Sequence, residues 1–545
     1  MLRRIPTRLI AYHLWHCLFS LGLYFVLLIP MIGGLYKFFC QKEQYDVLVN
    51  GDLMKVMVTP FGFMVICLLL GVTTLCILFE IGGLTFIQLK YKEHQSLGSL
   101  YKQMLYCFTK GVDESTYKLL LYFAVITPAL GLIHTEFVQK LVMPIFIRDF
   151  LAQYKIGIGL LVLLYLALIS YGMKWMFALY LMIEKAYPTE KAFEESALYF
   201  KSISKKEQGI IILIYMAVVL SIGLMRSLFQ WSDYQLLFIL IKIMLVKIVF
   251  PILYVLVVQK IYRGEMDIPR TQRRLLAWAL AVIVLVIGIQ KGMLNQGIEA
   301  NIDKMIAHRG GYGAEENTLE AIQKAKGKGV QSIEIDIQPT KDGQLVLFHD
   351  KSLWRKAGSL KKISQLNYEE IQQWMTYKTW PGQVKIPRLE SVFQQFGQDL
   401  HYNIELKFKD IASIEKTLNL IKQYDLEDST KIISTDYQSL CYIESKYPKL
   451  ETGLIVWAYV GDLSQVKTDS LMVEQTQLSR ELIQGLHHSQ KKVFAWTVND
   501  RWQAHKLLNM KVDGLITDTC YLSEKNPISW FKSFVYCLQQ SIPVI

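Results

Sequence analysis

Ser332-Ile333-Glu334-Ile335-Asp336-Ile337 is the stretch on which the fold turns. Its isoleucines alternate with polar residues. In a strand, successive side chains point to opposite faces, so Glu334 and Asp336 share one face. Two carboxylates side by side repel unless a cation lies between them or one holds a proton. A solvated edge strand is the plain alternative, and the three isoleucines argue against it. Similar short apolar segments recur on both sides: Met305-Ile306-Ala307, Leu345–Phe348, Tyr402–Leu406, Lys431–Ser434, Leu454–Tyr459, Val493–Thr497 and Gly514–Thr517. With the first, these make eight candidate strands, and helical patterns at 318–328, 411–423, 438–446 and 501–510 fall between them. Eight strand–helix units predict an α/β TIM barrel, with a doubly wound open sheet as the competitor. Polar residues collect where the strands end, at His308, His349, Glu405 with Lys407, Trp496 with Asn499, and Asp518. That is the face on which such a barrel builds its active site.

The residues ahead of the barrel have a different character. The chain has 545 residues, 52% of them hydrophobic and only 19% charged. Residues 1–300 carry 29 Lys/Arg against 18 Asp/Glu, whereas 301–545 carry 30 against 29. The basic excess therefore belongs to the first half, which excludes a basic nucleic-acid-binding surface on the second. Eight cysteines form no CxxC pair and no zinc-like spacing. Leu9–Tyr36 contains no Asp, Glu, Lys or Arg, enough to cross a hydrocarbon core of about 30 Å. Arg3, Arg4 and Arg8 precede it; it is too long for a signal-peptide core and reads as an uncleaved span. Further spans are expected at 60–79, 119–135, 156–183, 208–225, 235–259 and 275–290, with a re-entrant piece possible at 141–147. The basic N-terminus and the basic loops at 184–207 and 260–274 set these on the cytoplasmic side. With seven spans, everything after about residue 291 lies outside. Lys242 and Lys247, inside the sixth span, either snorkel or contact an anionic lipid headgroup. The expected organisation is a multi-span α-helical membrane domain (1–298), the barrel (299–525) and a tail (526–545).

Glu334, Asp336 and Glu405 form an oxygen-only donor set, which suits Mg²⁺ or Ca²⁺. Glu405 alone has a second use, an ion pair with Lys407. His308 and His349 end different segments and suit proton transfer near neutral pH, or metal ligation. Arg309 suits a bidentate grip on phosphate, and Gly310-Gly311 allow close approach of backbone to a ligand. Asn317 either caps the following helix or enters the site. Trp496 either packs as core or covers the apolar side of a small polyol at the barrel mouth. Asp342-Gly343 reads as a tight turn that brings Leu345–Phe348 back toward the carboxylate strand.

His308-Arg309-Gly310, Glu316-Asn317-Thr318, Glu334-x-Asp336, Asp342-Gly343, His349-Asp350, Glu405-Leu406-Lys407, Trp496-Thr497-x-Asn499 and Asp513-Gly514-x-Ile516-Thr517-Asp518 resemble, in order and spacing, the bacterial glycerophosphodiester phosphodiesterases. The resemblance covers about 303–520, and the preceding half looks like the membrane domain attached to some members. Two positions depart from the family pattern: Cys520 replaces a proline, and Ser434-Thr435-Asp436 lacks an aromatic. The resemblance implies metal-dependent hydrolysis of glycerophosphodiesters to glycerol phosphate and an alcohol, with one divalent cation, Mg²⁺ or Ca²⁺. It implies Glu334, Asp336 and Glu405 as metal ligands, His308 and His349 as acid and base, and Arg309 and Lys407 as phosphate contacts. Asn317 and Trp496 are further expected substrate contacts. From the topology we expect a multi-pass cell-membrane protein with an extracytoplasmic barrel. Its substrates would be membrane-proximal glycerophosphodiesters or glycerol-phosphate polymers of the teichoic acid kind, with membrane lipid as a partner and no nucleic acid. The alternatives are scavenging of soluble glycerophosphodiesters and an inactive glycerophosphate-binding sensor.

Overall fold

The computed structural model describes residues 302–519 except 312, 379–384 and 500. Ahead of them it describes 7–23, 47–50, 59–92, 95–111, 113–118 and 172–205, with isolated residues between 26 and 34 and between 208 and 264. The expected spans 119–135 and 275–290, the segment 141–147, Lys242 and Lys247, and most of 156–171, 208–225 and 235–259 lie outside the described residues.

In the first half, helix α1 (Thr7–Leu23), strand β1 (Val47–Val49) and helix α2 (Pro60–Lys90) come first. Thr59 caps α2, its hydroxyl accepting from Gly62 N at 2.9 Å, and Pro60 occupies the first turn, where no N–H is needed. Helices α3 (Leu97–Gly111), α4 (Ala178–Glu184) and α5 (Thr189–Ser202) follow. α1 and α2 cross closely because Gly83 has no side chain: a Cβ there would lie 2.2 Å from the His16 ring. That ring instead meets the carbonyls of Phe79 and Glu80, each at 3.1 Å. The expected span 156–183 is not a single helix at its end, since a turn at 175–177 separates residues 172–174 from α4. No helix built wholly of described residues is long and apolar enough to cross a membrane. α2 has 31 residues, about 46 Å at 1.5 Å rise, but several side chains of its apolar half lie outside the described residues.

The second half is a closed parallel barrel. It comprises β2 (Met305–Ala307), α6 (Leu319–Gly327), β3 (Ser332–Pro339), β4 (Leu345–Leu347), α7 (Trp354–Ala357), α8 (Tyr368–Lys378), α9 (Leu389–Phe396), β5 (His401–Leu406) and α10 (Ile411–Gln423). It continues through β6 (Thr430–Ser434), α11 (Tyr437–Lys446), β7 (Glu451–Val456), β8 (Tyr459–Gly461), β9 (Ser470–Glu474), α12 (Arg480–His488), β10 (Lys492–Trp496), α13 (Arg501–Asn509) and β11 (Gly514–Thr517). The sheet runs β2-β11-β10-β9-β7-β6-β5-β3, and a β2–β3 pairing closes it. Eight parallel strands result, as expected, but not the eight read from the sequence.

Leu345–Phe348 is no barrel stave. β4 pairs antiparallel with the end of β3, Leu347 opposite Ile337. The turn responsible is the one read at Asp342-Gly343: Gly343 has φ 73° and donates to Thr340 O at 3.0 Å. The missing stave is β9, whose apolar run Leu471-Met472-Val473 is short and flanked by polar residues. It nevertheless lies fully buried between β7 and β10. The chain between β4 and α9 forms a satellite core of its own, including Val346, Phe348, Leu353, Ile371 and Met375. This core holds the His349 loop against the barrel mouth. Inside the barrel, Ile306, Ile433, Ile455, Met472 and Ile516, one from each of five strands, pack into an apolar plug. Beyond this plug, Glu334, Asp336 and Glu405 face the open C-terminal end.

Candidate active site

The strand ends open into a cavity of about 650 Å³. Its position follows from register. β3 and β5 run parallel with Asp336 opposite Glu405 and Glu334 opposite Asn403. Because side chains two apart on a strand share a face, three carboxylates from two neighbouring strands converge. One oxygen from each of Glu334, Asp336 and Glu405 lies within 4.8 Å of the others.

The three are not electrically equivalent. Burial, then the charges of Asp336 and Glu405, push Glu334 well above the ordinary carboxyl range, although Arg309 N donates to its Oε2 at 2.7 Å. Burial also works against charge on Asp336, but Lys407, His349 and Arg309 outweigh it and hold this carboxyl well below that range. The Lys407 ammonium lies 3.0 Å from Asp336 Oδ1 and 2.5 Å from Glu405 Oε1. The expected Glu405–Lys407 ion pair and the carboxylate cluster therefore coexist. Lys407 is itself half-buried; the loss of water disfavours its charge, and Asp336 and Glu405 more than restore it. One internal cation serves two of the three acids, and Glu334 is left with negative charge beside it. An oxygen-only donor set with that surplus fits a hard divalent cation.

His308 and His349 flank the carboxylates, and each is held from behind by an acid. His308 follows β2 in a short turn; its Nδ1 meets Asp518 Oδ1 at 2.6 Å, and its Nε2 lies 4.0 Å from Glu334 Oε2. His349 follows β4; its Nδ1 meets Asp350 Oδ1 at 2.7 Å. A carboxylate on one ring nitrogen fixes the ring's orientation and leaves the other nitrogen for chemistry. Burial raises Asp518, but the His308 contact and Asn499 hold it below its ordinary value. For Asp350, His349 and Arg355 overcome burial and bring the carboxyl down to about 2.

Arg309 lies over the acids. Its backbone is left-handed, φ 53°, and the next residue, Gly310, has φ 64°. A Cβ on Gly310 would also fall 2.7 Å from Ile322 Cγ1, so the turn requires glycine on two counts. The guanidinium is fixed by Glu316 Oε2 at 2.9 Å, while its buried Nε has no hydrogen-bond partner and stands 3.7 Å from Asp336 Oδ2. Burial disfavours its charge, but Asp336, Glu316 and Glu334 raise its pKa above normal. Glu316 is shared with Arg355, which also binds Asp350 at 2.6 Å. One network therefore links the Arg309 turn to the His349 loop.

Asn317 is placed otherwise than expected. It is 3% exposed and does not line the cavity. Its Nδ2 donates to Asp336 Oδ2 at 2.8 Å and its Oδ1 accepts from Asp336 N at 3.1 Å, so it orients a carboxylate from behind. The helix cap is Thr318, accepting from Ala321 N. Trp496 does line the cavity, with Nε1 donating to Met472 O at 2.8 Å. The sequence did not assign roles to Glu316, Asp350 and Asp518, although each sits in or beside a quoted motif. Arg355 gave no local signal, since only the fold of the loop after β4 brings it to Glu316.

Two family models match the chain. Residues 308–521 match the glycerophosphoryl diester phosphodiesterase family, and residues 6–267 match the membrane domain of glycerophosphoryl diester phosphodiesterase. A glycerophosphodiester phosphodiesterase of Caldanaerobacter subterraneus subsp. tengcongensis is 30% identical over 227 residues, covering 39% of this chain and 93% of that protein. One from Bacillus altitudinis is 29% identical, covering 39% and 94%. A lysophospholipase D of Mus musculus is 34% identical over 263 residues, covering 40% and 83%. With a barrel of this sheet order and a segment matching the family's membrane domain ahead of it, the chain is a phosphoric diester hydrolase and belongs to the glycerophosphodiester phosphodiesterase family.

Proposed function

We propose that the barrel hydrolyses membrane-proximal glycerophosphodiesters to glycerol phosphate and an alcohol, in a divalent-cation-dependent reaction outside the cytoplasm. The observation that carries this is the convergence on one cavity of three carboxylates, two buried and one half-buried, with two acid-backed histidines and two half-buried cations. Glu334, Asp336 and Glu405 would hold the cation, which when bound supplies Lewis-acid neutralisation of phosphate charge. Arg309 and Lys407 add fixed positive charge for the non-bridging oxygens, worth most in a site shielded from water. One of His308 and His349 accepts the proton of the attacking hydroxyl, and the other donates a proton to the alkoxide that leaves as the phosphorus–oxygen bond breaks. The same proton traffic serves a water nucleophile or a neighbouring glycerol hydroxyl. Trp496 packs on the carbon face of the glycerol. Asn317 holds Asp336 in place, so its contribution is to orientation rather than to substrate contact.

The location rests on the basic loops, which favour a cytoplasmic N-terminus, taken together with the seven spans expected from the apolar runs. A tethered barrel sees a raised local concentration of any substrate confined to that surface. The lysophospholipase D name of the mouse relative supports a diester that is itself a lipid. The test is a rate comparison with full-length protein in bilayers, given lipid-anchored glycerol-phosphate polymer and soluble glycerophosphocholine side by side. Faster turnover of the anchored diester is expected. Turnover of the soluble diester alone would leave a scavenging enzyme whose helices only anchor it.

A further inference from the structure

Four residues from the membrane-domain half are built into the barrel. β1 pairs antiparallel with β8, Val47 opposite Gly461, Leu48 opposite Val460 and Val49 opposite Tyr459. Val49 is 2% exposed and belongs to the barrel's own hydrophobic core. Asn50 follows it, 1% exposed, in the left-handed conformation that asparagine tolerates, φ 48°.

The donors and acceptor of the Asn50 side-chain amide are used on the ends of β6 and β7. Its Oδ1 accepts from Trp457 N at 2.9 Å and from Ala458 N at 3.5 Å. Its Nδ2 donates to Ile455 O, and to Thr435 O at 3.4 Å. Its backbone N donates to Ala458 O at 2.9 Å. Past Val456 the chain leaves the sheet, and these backbone groups find their partners on Asn50 instead of on a neighbouring strand. Ile455, Thr435 and Trp457 all line the catalytic cavity. The side chain that fixes this wall thus comes from the segment between α1 and α2, inside the stretch matching the membrane domain.

We propose that Val47–Asn50 is a docking element through which the membrane domain shapes the active site, with Asn50 as the positioning residue for the Trp457 wall. The proposal rests on the cavity being the active site. It also requires residues 47–50 and the barrel to lie on one side of the membrane. An even number of crossings must then separate them, which agrees with six spans after the first. The amide suits the place because two donors face carbonyls and one acceptor faces N–H groups. An aspartate of the same shape would set a carboxylate against the carbonyls of Ile455 and Thr435.

Two measurements on full-length protein in bilayers test this. In the first, Asn50→Asp is assayed with soluble glycerophosphocholine for KM, kcat and half-saturating Mg²⁺. A KM raised about tenfold is expected, with kcat and Mg²⁺ dependence within about twofold, because the substrate wall moves while the carboxylates do not. Wild-type KM overturns the proposal, as does a loss confined to kcat or to Mg²⁺ affinity. In the second, which does not depend on Asn50→Asp folding, amide hydrogen exchange is followed in the wild-type protein. Slow exchange of the Trp457 and Asn50 backbone N–H groups is expected, because each is held across the β1–β8 contact. Exchange of both at the rate of an open loop overturns it. A His308→Ala control separates the two ideas: if that protein remains active, the cavity is not the site, whatever the Asn50 result.

Discussion

His308→Ala is expected to lower kcat by about 10³-fold, within the range typical of a lost proton-transfer group. The ring stands between Asp518 and the carboxylate cluster, with Nε2 turned toward Glu334. Among the described residues, His308 is the imidazole that the structure sets beside Glu334. The fold should survive the change. Asp518 loses its imidazole partner but is half exposed and keeps Asn499 as a donor. The deleted ring leaves space at the open end of the barrel, not in the apolar plug. Steady-state kinetics with a thermal melt check this. A variant with near-wild-type kcat would remove His308 from the chemistry.

Glu334→Gln should separate activity from stability. Burial and the two neighbouring acids raise this carboxyl well above its ordinary range, so the folded protein disfavours its charge. An acid whose pKa is raised by folding costs stability as the pH climbs past its ordinary value, where the unfolded chain gives up the proton first, and a neutral isostere removes that cost. Glutamine keeps an acceptor for Arg309 N. Without added cation, the variant should therefore melt at or above the wild-type temperature. With Mg²⁺ or Ca²⁺, the wild type should gain stability by binding linkage and the variant should gain little. Its activity should fall by more than about 10²-fold. Melting curves with and without cation, beside the rates, check both halves. A variant that melts lower without cation but responds to it normally would mean that Glu334 is only a structural acid.

The sequence carried the barrel and the innermost residues of the site for a physical reason. Buried parallel strands exclude polar side chains except where function needs them, so Glu334, Asp336, Glu405 and His308 stood out against isoleucine-rich neighbours. The same logic failed at Leu345–Phe348 and at Ser470–Glu474. The first is apolar because it seals a satellite core, and the second has only three apolar residues between polar ends. Asn317 was read as capping or contacting substrate; only tertiary structure shows it bracketing Asp336 on both sides. Arg355 reaches Glu316 across 39 residues of sequence through a loop whose path no local pattern encodes. The Asn50 contact spans about 400 residues, and a lone asparagine between hydrophobic segments gives no signal of it.

The central claim is cation-dependent cleavage of a glycerophosphodiester at this site, on the alcohol side of phosphorus. The most direct measurement strips full-length protein of metal with a chelator, adds glycerophosphocholine, and follows phosphorus species by NMR as Mg²⁺ or Ca²⁺ is restored. The account predicts no turnover before the cation returns, then glycerol phosphate and choline in equal amounts, with none of this from Glu334→Gln. Turnover in the stripped protein, or release of phosphocholine and glycerol instead, would contradict it.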